Sequence, residues 1–387
     1  MRGCCCDIAH AGTGAASVGL ATSGSFVPNW EMPGQARPLH ISLVAIPEAA
    51  ISTLTGLYDV LRAFDLLGTS DPSLPATPPF VVEIVAVAPG DIALASGLPV
   101  RASRGIADIA ATDIVIVPSL VVGAEGWIRG RHPELVDWIA RMHKQGALLC
   151  SACSGIFLLA ETGLFDGHPS TVHWGYADHM KKAFPAIPLF PDKVLMVSGE
   201  REQLITSGAS NTWHDLVLYL MVRFVGTTAA QSVARFFALQ WHHDGLAPFI
   251  VFEGRKDHGD AVVADAQDWL MQHFSVASPV EEMVRRSTLA ERTFKRRFTA
   301  MTGLPPIEYV QRLRVEDAKR RLERTDAPID KIAWQVGYED SGFFRKVFRR
   351  LTGLTPGAYR RRFQIPDYAQ PARRAAAASK SGAQLVE

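Results

Sequence analysis

The sequence predicts a two-domain chain: a doubly wound, mostly parallel α/β domain followed by an all-α domain built on two helix-turn-helix units. Three observations predict it. Short apolar, β-rich segments alternate with helical patterns over the first two thirds of the chain. The strand-like segments stop at Asp260. Beyond that point the chain repeats itself at an offset of 50 residues.

The strands are read from buried-type apolar runs at Ile41–Ile46, Phe80–Ala88, Asp113–Val117, Ala147–Cys150, Val194–Val197 and Leu204–Thr206. Helical spacing marks Leu54–Leu67, Pro133–Gln145, Gly155–Glu161 and Asn211–Val225 between them, with a further helix at Thr228–Trp241. Residues 1–37 are rich in Gly, Ala and Ser and are expected to be a disordered leader. The α/β domain is then assigned to residues 38–244 and a Pro- and Gly-bearing linker to 245–259. The helical domain takes 260–364, and a flexible tail takes 365–387.

Charge divides at the same place. Residues 1–254 carry a net −7 and residues 255–387 a net +8, within an overall +1. Such asymmetry points to one module meeting a polyanion. No apolar run approaches the ~18–20 residues of a membrane span. Five cysteines, three of them adjacent at Cys4–Cys6, make neither a disulfide framework nor a zinc cage of ordinary spacing. The chain therefore reads as cytoplasmic and reduced, with no metal and no cofactor. Lipidation of Cys4–Cys6 is the weaker alternative to a leader without function.

In the repeat, Phe294, Phe298, Thr302-Gly303-Leu304, Pro306 and Tyr309 recur as Phe344, Phe348, Thr352-Gly353-Leu354, Pro356 and Tyr359. Each copy parses as helix, turn, helix. Val280–Arg286 and Ala290–Met301 flank Ser287-Thr288-Leu289; Ile329–Val336 and Gly342–Leu351 flank a turn opened by Gly337, with Ser341 as the expected N-cap. Phe294, Phe298 and Met301, like Phe344, Phe348 and Leu351, fall on one helical face and are expected in the core. The other faces carry Arg292, Lys295, Arg296 and Arg297 in one copy and Arg345, Lys346, Arg349 and Arg350 in the other. A single basic face is commonly just solvated; two in register suit major-groove and phosphate contact. Pro306–Arg324 reads as a spacer helix with its stripe at Tyr309, Leu313, Val315, Ala318 and Leu322.

Residues 261–363 resemble the AraC/XylS family DNA-binding domain. The resemblance rests on Ile329, Ile332-Ala333, Val336-Gly337-Tyr338, Ser341, Phe343-Phe344, Phe348, Gly353, Thr355-Pro356 and Tyr359-Arg360. Tyr338 stands where Phe is commoner. By position, the resemblance implies that Arg292, Lys295, Arg296, Gly342, Arg345 and Lys346 face DNA, and that Arg314 braces the fold. Gly342 has no side chain, so the first unit is expected to read more bases and the second to grip more phosphate.

In the α/β domain, Gly146–Gly155 is a strand that turns through small residues into the helix Gly155–Glu161, lifting Cys153 to the top of the sheet. Helix amides beneath it favour a thiolate or a bound anion. His173, in Thr171-Val172-His173-Trp174, is placed to approach the thiol, and Cys with His begins a nucleophilic constellation. These residues, with Leu158–Leu164 and Thr206-Ser207-Gly208, resemble the ThiJ/PfpI family of flavodoxin-like, class I glutamine amidotransferase-like domains over residues 39–225. Joined to an AraC-type domain, they are similar to the GlxA-like transcription regulators. Two departures weaken a catalytic expectation. Ser154 follows the elbow cysteine where hydrolytic members carry His, and Thr53 stands where many carry Glu, with Glu48 five residues early. Cys153 and His173 are thus candidates for a vestigial site, and Cys153, Ser154, His173 and Trp174 for an effector site. The resemblance implies operator DNA, a small-molecule effector, a homodimeric partner and RNA polymerase as associates. The alternative is a Cys-dependent amidohydrolase or glyoxalase-like enzyme.

Three further clusters have plain readings. Cys150 ends a buried strand and reads as packing rather than as half of a Cys-x-x-Cys redox pair. His242-His243-Asp244 reads as a polar helix end, with no third ligand group near it. Trp213-His214-Asp215 reads as a helix cap or cleft lining.

Overall fold

The computed structural model describes residues 37–366, apart from 69 and 73, together with Ala369. The expected leader with Cys4–Cys6, and the tail beyond these limits, lie outside the described residues. No helix among the described residues is long and apolar enough to cross a membrane.

The first half is a seven-stranded sheet flanked by helices. Its strands, in chain order, are β1 (Leu39–Val44), β2 (Phe80–Ala86), β5 (Arg104–Gly105), β6 (Ile114–Val117), β7 (Leu148–Ala152), β8 (Leu195–Ser198) and β9 (Leu204–Ser207). Their spatial order is β5-β2-β1-β6-β7-β9-β8. Every pairing is parallel except β8 with β9. Ile114–Val117 is wholly buried, as expected of a strand covered on both faces. The helices are α1 (Ile51–Leu61), α2 (Ala63–Leu67), α3 (Pro133–Lys144), α4 (Ile156–Ala160), α5 (Ala177–Ala183), α6 (Trp213–Phe224) and α7 (Thr227–Phe236). The strand order reverses at β1 and β6. Ligands of such sheets bind beyond the carboxyl ends of the strands at that point.

Several expectations need correction. The antiparallel hairpin β3 (Gly90–Ala93) and β4 (Pro99–Ala102) was not anticipated, because its exposed strands alternate too weakly to stand out. The first helix breaks at Arg62 into α1 and α2. The helix expected over 228–241 stops at Phe236. Leu239 N–H donates to Ala234 O at 2.8 Å and Ala238 N–H to Arg235 O at 3.3 Å, a Schellman end with Ala238 at φ 53°. Glycine usually marks that position; alanine hid it. Residues 237–260 therefore form a strap without helix or strand.

The second half is all helical: α8 (Ala261–His273), α9 (Pro279–Ser287), α10 (Glu291–Thr302), α11 (Pro306–Arg324), α12 (Ile329–Gln335), α13 (Ser341–Thr352) and α14 (Pro356–Phe363). It has two cores. Met283, Phe294, Phe298 and Tyr309 centre one; Ile332, Phe344, Phe348 and Tyr359 centre the other. The long α11 feeds both, as its expected stripe requires, but it also buries Val310, Arg314 and Lys319. Lys319 is kept because its one ammonium donates to two partners, Ile250 O at 2.6 Å and Glu316 Oε1 at 2.8 Å. The N-cap of α13 is Asp340 rather than Ser341, since the Asp340 carboxylate accepts from Gly342 N–H at 2.7 Å.

Candidate nucleic-acid interface and effector pocket

The 50-residue repeat is reproduced closely in the cores of the two units. Phe294–Phe298 and Phe344–Phe348 both have ring centroids 5.7 Å apart. Phe298 meets Tyr309 edge-on at 5.3 Å, and Phe348 meets Tyr359 edge-on at 5.4 Å. Gly303 and Gly353 end the two second helices at φ 76° and 78°. Thr302 and Thr352 then tie the same knot: each hydroxyl donates to the phenylalanine carbonyl four residues back at 2.8 Å and accepts Leu304 or Leu354 N–H at 3.2 Å. A buried aromatic stripe on each second helix leaves its opposite face to solvent.

That exposed face carries every residue singled out for DNA. Arg292, Lys295 and Arg296 lie exposed on α10, and Gly342, Arg345 and Lys346 on α13. They differ in freedom. Lys295 is ion-paired one turn back with Glu291, and Arg345 Nη2 reaches Asp330 at 2.7 Å. Arg297 pairs with the α8 cap Asp260 and so serves the fold as well. Arg292, Arg296 and Lys346 make no side-chain hydrogen bond or ion pair among the described residues. Two aromatics on the second unit that were not expected among the DNA contacts are also exposed, Trp334 at 74% and Phe343 at 48%.

The two units are held together by Arg314. Its guanidinium is buried, donates to Phe274 O at 2.7 Å and Val276 O at 2.8 Å, and lies over the Tyr338 ring at 5.1 Å. It braces the fold rather than facing solvent.

At the sheet's carboxyl edge, Cys153 follows β7 with φ 56°, a left-handed conformation costly for a residue with a β-carbon. The turn must be tight because α4 starts against the end of β6. A β-carbon at Gly155 would stand 2.4 Å from Val117 O. Cys153 is buried, and its Sγ lies 3.5 Å from Ser210 Oγ. No hydrogen bond joins it to His173. The His173 ring instead stacks on Trp174 at 4.0 Å, and its Nδ1 accepts Gly175 N–H at 3.1 Å. Burial pushes the His173 pKa down, favouring the neutral ring. Ser154 is engaged on both sides by one residue: its hydroxyl donates to Leu120 O at 2.5 Å and accepts Leu120 N–H at 2.8 Å. Trp174 is half-buried beside His173. At the position where an acid was sought, Thr53 is buried and donates to Ser119 Oγ, whereas the nearby Glu48 turns to Arg131 at 2.6 Å and His132 at 3.1 Å. Burial opposes ionisation of Glu48, but the Arg131 hydrogen bond and neighbouring positive charge hold its pKa below the usual value. Cys150 is fully buried, and burial pushes its thiol up to about 12, which suits packing and not redox chemistry.

One reading from the sequence is overturned. His242 does not end a helix, and it has acidic and imidazole company. Asp215 Oδ2 accepts from its Nδ1 at 2.6 Å, and the His214 ring stacks on it at 5.4 Å.

Comparisons with known proteins agree with this architecture. Residues 283–362 match the helix-turn-helix domain family HTH_18, and residues 55–222 match the DJ-1/PfpI family. The HTH-type transcriptional regulator GlxA of Rhizobium meliloti is 24% identical over 338 residues, covering 84% of this chain and 96% of that protein. The HTH-type transcriptional regulator CdhR of Pseudomonas aeruginosa is 24% identical over 278 residues, covering 69% of this chain and 77% of that protein. Over the helical domain, the HTH-type transcriptional activator RhaS of Escherichia fergusonii is 38% identical across 88 residues, 23% of this chain and 32% of that protein.

Proposed function

We propose that this chain, a DJ-1/PfpI-type α/β domain joined to an AraC-type helix-turn-helix domain, is a cytoplasmic transcription regulator that binds operator DNA sequence-specifically as a homodimer. The observation that carries the reading is the duplicated second helix. Two helices with matched aromatic cores present matched cationic faces, and the cations Arg292, Arg296 and Lys346 have no hydrogen-bond or ion-pair partner among the described residues to compete with DNA. Arginine in such a place pairs bidentately with guanine, while lysine neutralises phosphate. The relatives named above carry regulator names that accord with this. The α/β domain is assigned to effector sensing and dimerisation, with RNA polymerase as the further partner. The division of labour we propose gives sensing to residues 38–244, the link to 245–259 and DNA binding to 260–364.

A small molecule is expected beside the elbow, against Cys153, His173 and Trp174; the Ser154 hydroxyl serves mainly to brace Leu120. Catalysis is not assigned. Cys153 faces Ser210 rather than a base, and His173 is occupied by its own turn. Selection of DNA from a random library by the full chain, followed by footprinting, tests the reading. Arg296→Ala should cost about 1–3 kcal/mol and relax one base position, whereas Lys346→Ala should weaken all sequences alike. Uniform weakening by both, with no selected sequence, would overturn sequence-specific recognition. Regulation that disappears with Cys153→Ala while effector binding persists would restore the enzymatic alternative.

A further inference from the structure

We propose that His214, Asp215 and His242 bind a divalent first-row transition ion of the Zn²⁺ class at the seam between the two domains, and that the ion fixes the strap 241–249 against the second helix-turn-helix unit.

His214 and Asp215 lie in the first turn of α6, and His242 lies on the strap. Asp215 is a nearly inaccessible carboxylate whose two oxygens both hold His242: Oδ1 accepts the backbone N–H at 2.9 Å and Oδ2 the ring Nδ1 at 2.6 Å. The same Oδ2 is 3.9 Å from His214 Nδ1. That nitrogen is buried and has no hydrogen-bond partner among the described residues. An unpartnered polar atom aimed at a buried carboxylate is a cost the fold keeps without structural return. An ion shared by all three groups removes it. One ligand atom from each residue lies within 4.8 Å of the others. A tetrahedral ion with ligand bonds of about 2.0–2.2 Å sets its ligand atoms roughly 3.3–3.6 Å apart, so Asp215 Oδ2 and His242 Nδ1 open from 2.6 Å and His214 Nδ1 draws in from 3.9 Å.

The donor set selects the ion. Two imidazoles and one carboxylate suit Zn²⁺, Co²⁺ or Fe²⁺, whereas Mg²⁺ and Ca²⁺ prefer oxygen shells. Ligation through His242 Nδ1 displaces the proton it shares with Asp215 Oδ2: from an imidazolium that proton passes to solvent, and in a neutral ring its loss from Nδ1 is matched by protonation of Nε2 from solvent, so the ligating ring stays neutral. The remaining coordination position opens on a cleft of ≈ 600 Å³ that runs from Asp192 to Arg350 and Gly353 on the helical side.

The strap transmits the contact. Two residues past His242, Asp244 pairs with Arg362 Nη1 of α14 at 2.6 Å. The Phe249 ring meets His242 at 6.0 Å and Phe363 of α14 at 5.1 Å. Leu246 N–H returns to Asp192 O at 3.0 Å. Immobilising His242 thus immobilises the residues that hold α14.

The test uses the full chain stripped with a chelator and titrated with Co²⁺ alone. One ion per chain should bind with the visible bands of a nitrogen–oxygen set, without the thiolate charge-transfer band that Cys4–Cys6 would produce, and Zn²⁺ should displace it. His214→Ala and His242→Ala should each weaken binding by more than the ~10–100-fold typical of losing an outer partner. Zn²⁺ should slow hydrogen exchange in 241–249 and 356–363. Because His242 is already clamped to Asp215, its variant can suffer in folding; His214→Ala has no Nδ1 hydrogen bond to lose and is decisive once circular dichroism shows it folded. Unchanged Co²⁺ affinity in that variant, a thiolate band, or no binding by the parent chain would each overturn the site. Binding without added protection of the strap would overturn the coupling.

Discussion

The two helix-turn-helix units share one core plan and differ in how they are buttressed. In the first, the Tyr309 hydroxyl accepts Gln267 Nε2 at 3.0 Å, so α8 closes the unit from outside the repeat. In the second, the Tyr359 hydroxyl donates to Glu323 at 2.6 Å, so the end of the spacer helix closes it. The turns differ too. Thr288 takes φ 56° in the first, while Gly337 takes φ 93° in the second, with a virtual β-carbon only 2.5 Å from Ser275 O and 2.9 Å from the Arg314 guanidinium carbon. Duplication has kept the inner aromatic packing and let the closing contacts diverge. Packing tolerates little change inside a filled core, whereas a hydroxyl can find a new partner wherever an acceptor or donor arrives.

The most severe way to break this comparison is through the shared core. Phe298→Ala and Phe348→Ala each delete a fully buried ring and should each cost about 3–5 kcal/mol in urea unfolding. Near-equal losses support equivalent cores. A loss in one half well below the other would mean that its cavity collapses and that the packing match is superficial. The turns come next and should separate the units. Gly337→Ala meets both strain and a backbone oxygen and should cost ~2–4 kcal/mol, whereas Gly303→Ala, with open space around its β-carbon, should cost only the left-handed strain of about 1 kcal/mol. Equal costs would remove the steric argument for Gly337.

Much of this was legible beforehand because its signals are local. Pro279, Pro306, Pro328 and Pro356 stand at helix starts, and Gly303 and Gly353 at ends, so their conformational limits announce the boundaries. The aromatic stripes announce the cores by spacing alone. The elbow around Cys153 was legible from its small residues. What stayed hidden has no local mark. Ala238 ends α7 in a conformation that glycine would have signalled. Asp340 caps α13 one residue before the serine that the composition favoured. The His242 and Asp215 contact spans 27 residues, and only a carboxylate in the first turn of the largely apolar α6 hinted that a partner must exist. The tie between Lys295 and Glu291 is readable from helical spacing, but that between Arg345 and Asp330 depends on how α12 crosses α13.

The threonine knots give a smaller test of the same comparison. Thr302→Val and Thr352→Val keep shape and remove the hydroxyl that links helix end to turn. Each should cost about 0.5–1.5 kcal/mol, with Thr352 at the upper end because it is the more buried and strands the Leu354 N–H away from water. Thermal unfolding of the pair, measured side by side, checks the order. A larger loss at Thr302 would show that the first unit depends on its knot more than its exposure implies.

The smallest expected effect concerns the cations tied within the protein. Glu291→Gln frees Lys295 and Asp330→Asn frees Arg345, each by breaking an exposed ion pair worth roughly 0–1 kcal/mol, so stability should hardly move. DNA binding should respond differently in the two units. A freed lysine adds a diffuse phosphate contact, so Glu291→Gln should raise affinity a few-fold for every sequence and steepen the salt dependence by about one ion. A freed arginine on the second helix adds a group able to select a base, so Asp330→Asn should raise affinity most for one base at one position, ~1–3 kcal/mol at the upper bound for a bidentate contact. Titrations across a salt series on the selected DNA and on variants at each position would separate the two outcomes. If Asp330→Asn instead raises affinity evenly, Arg345 grips phosphate, and the second unit's share of base reading falls to Phe343 and the backbone beside Gly342.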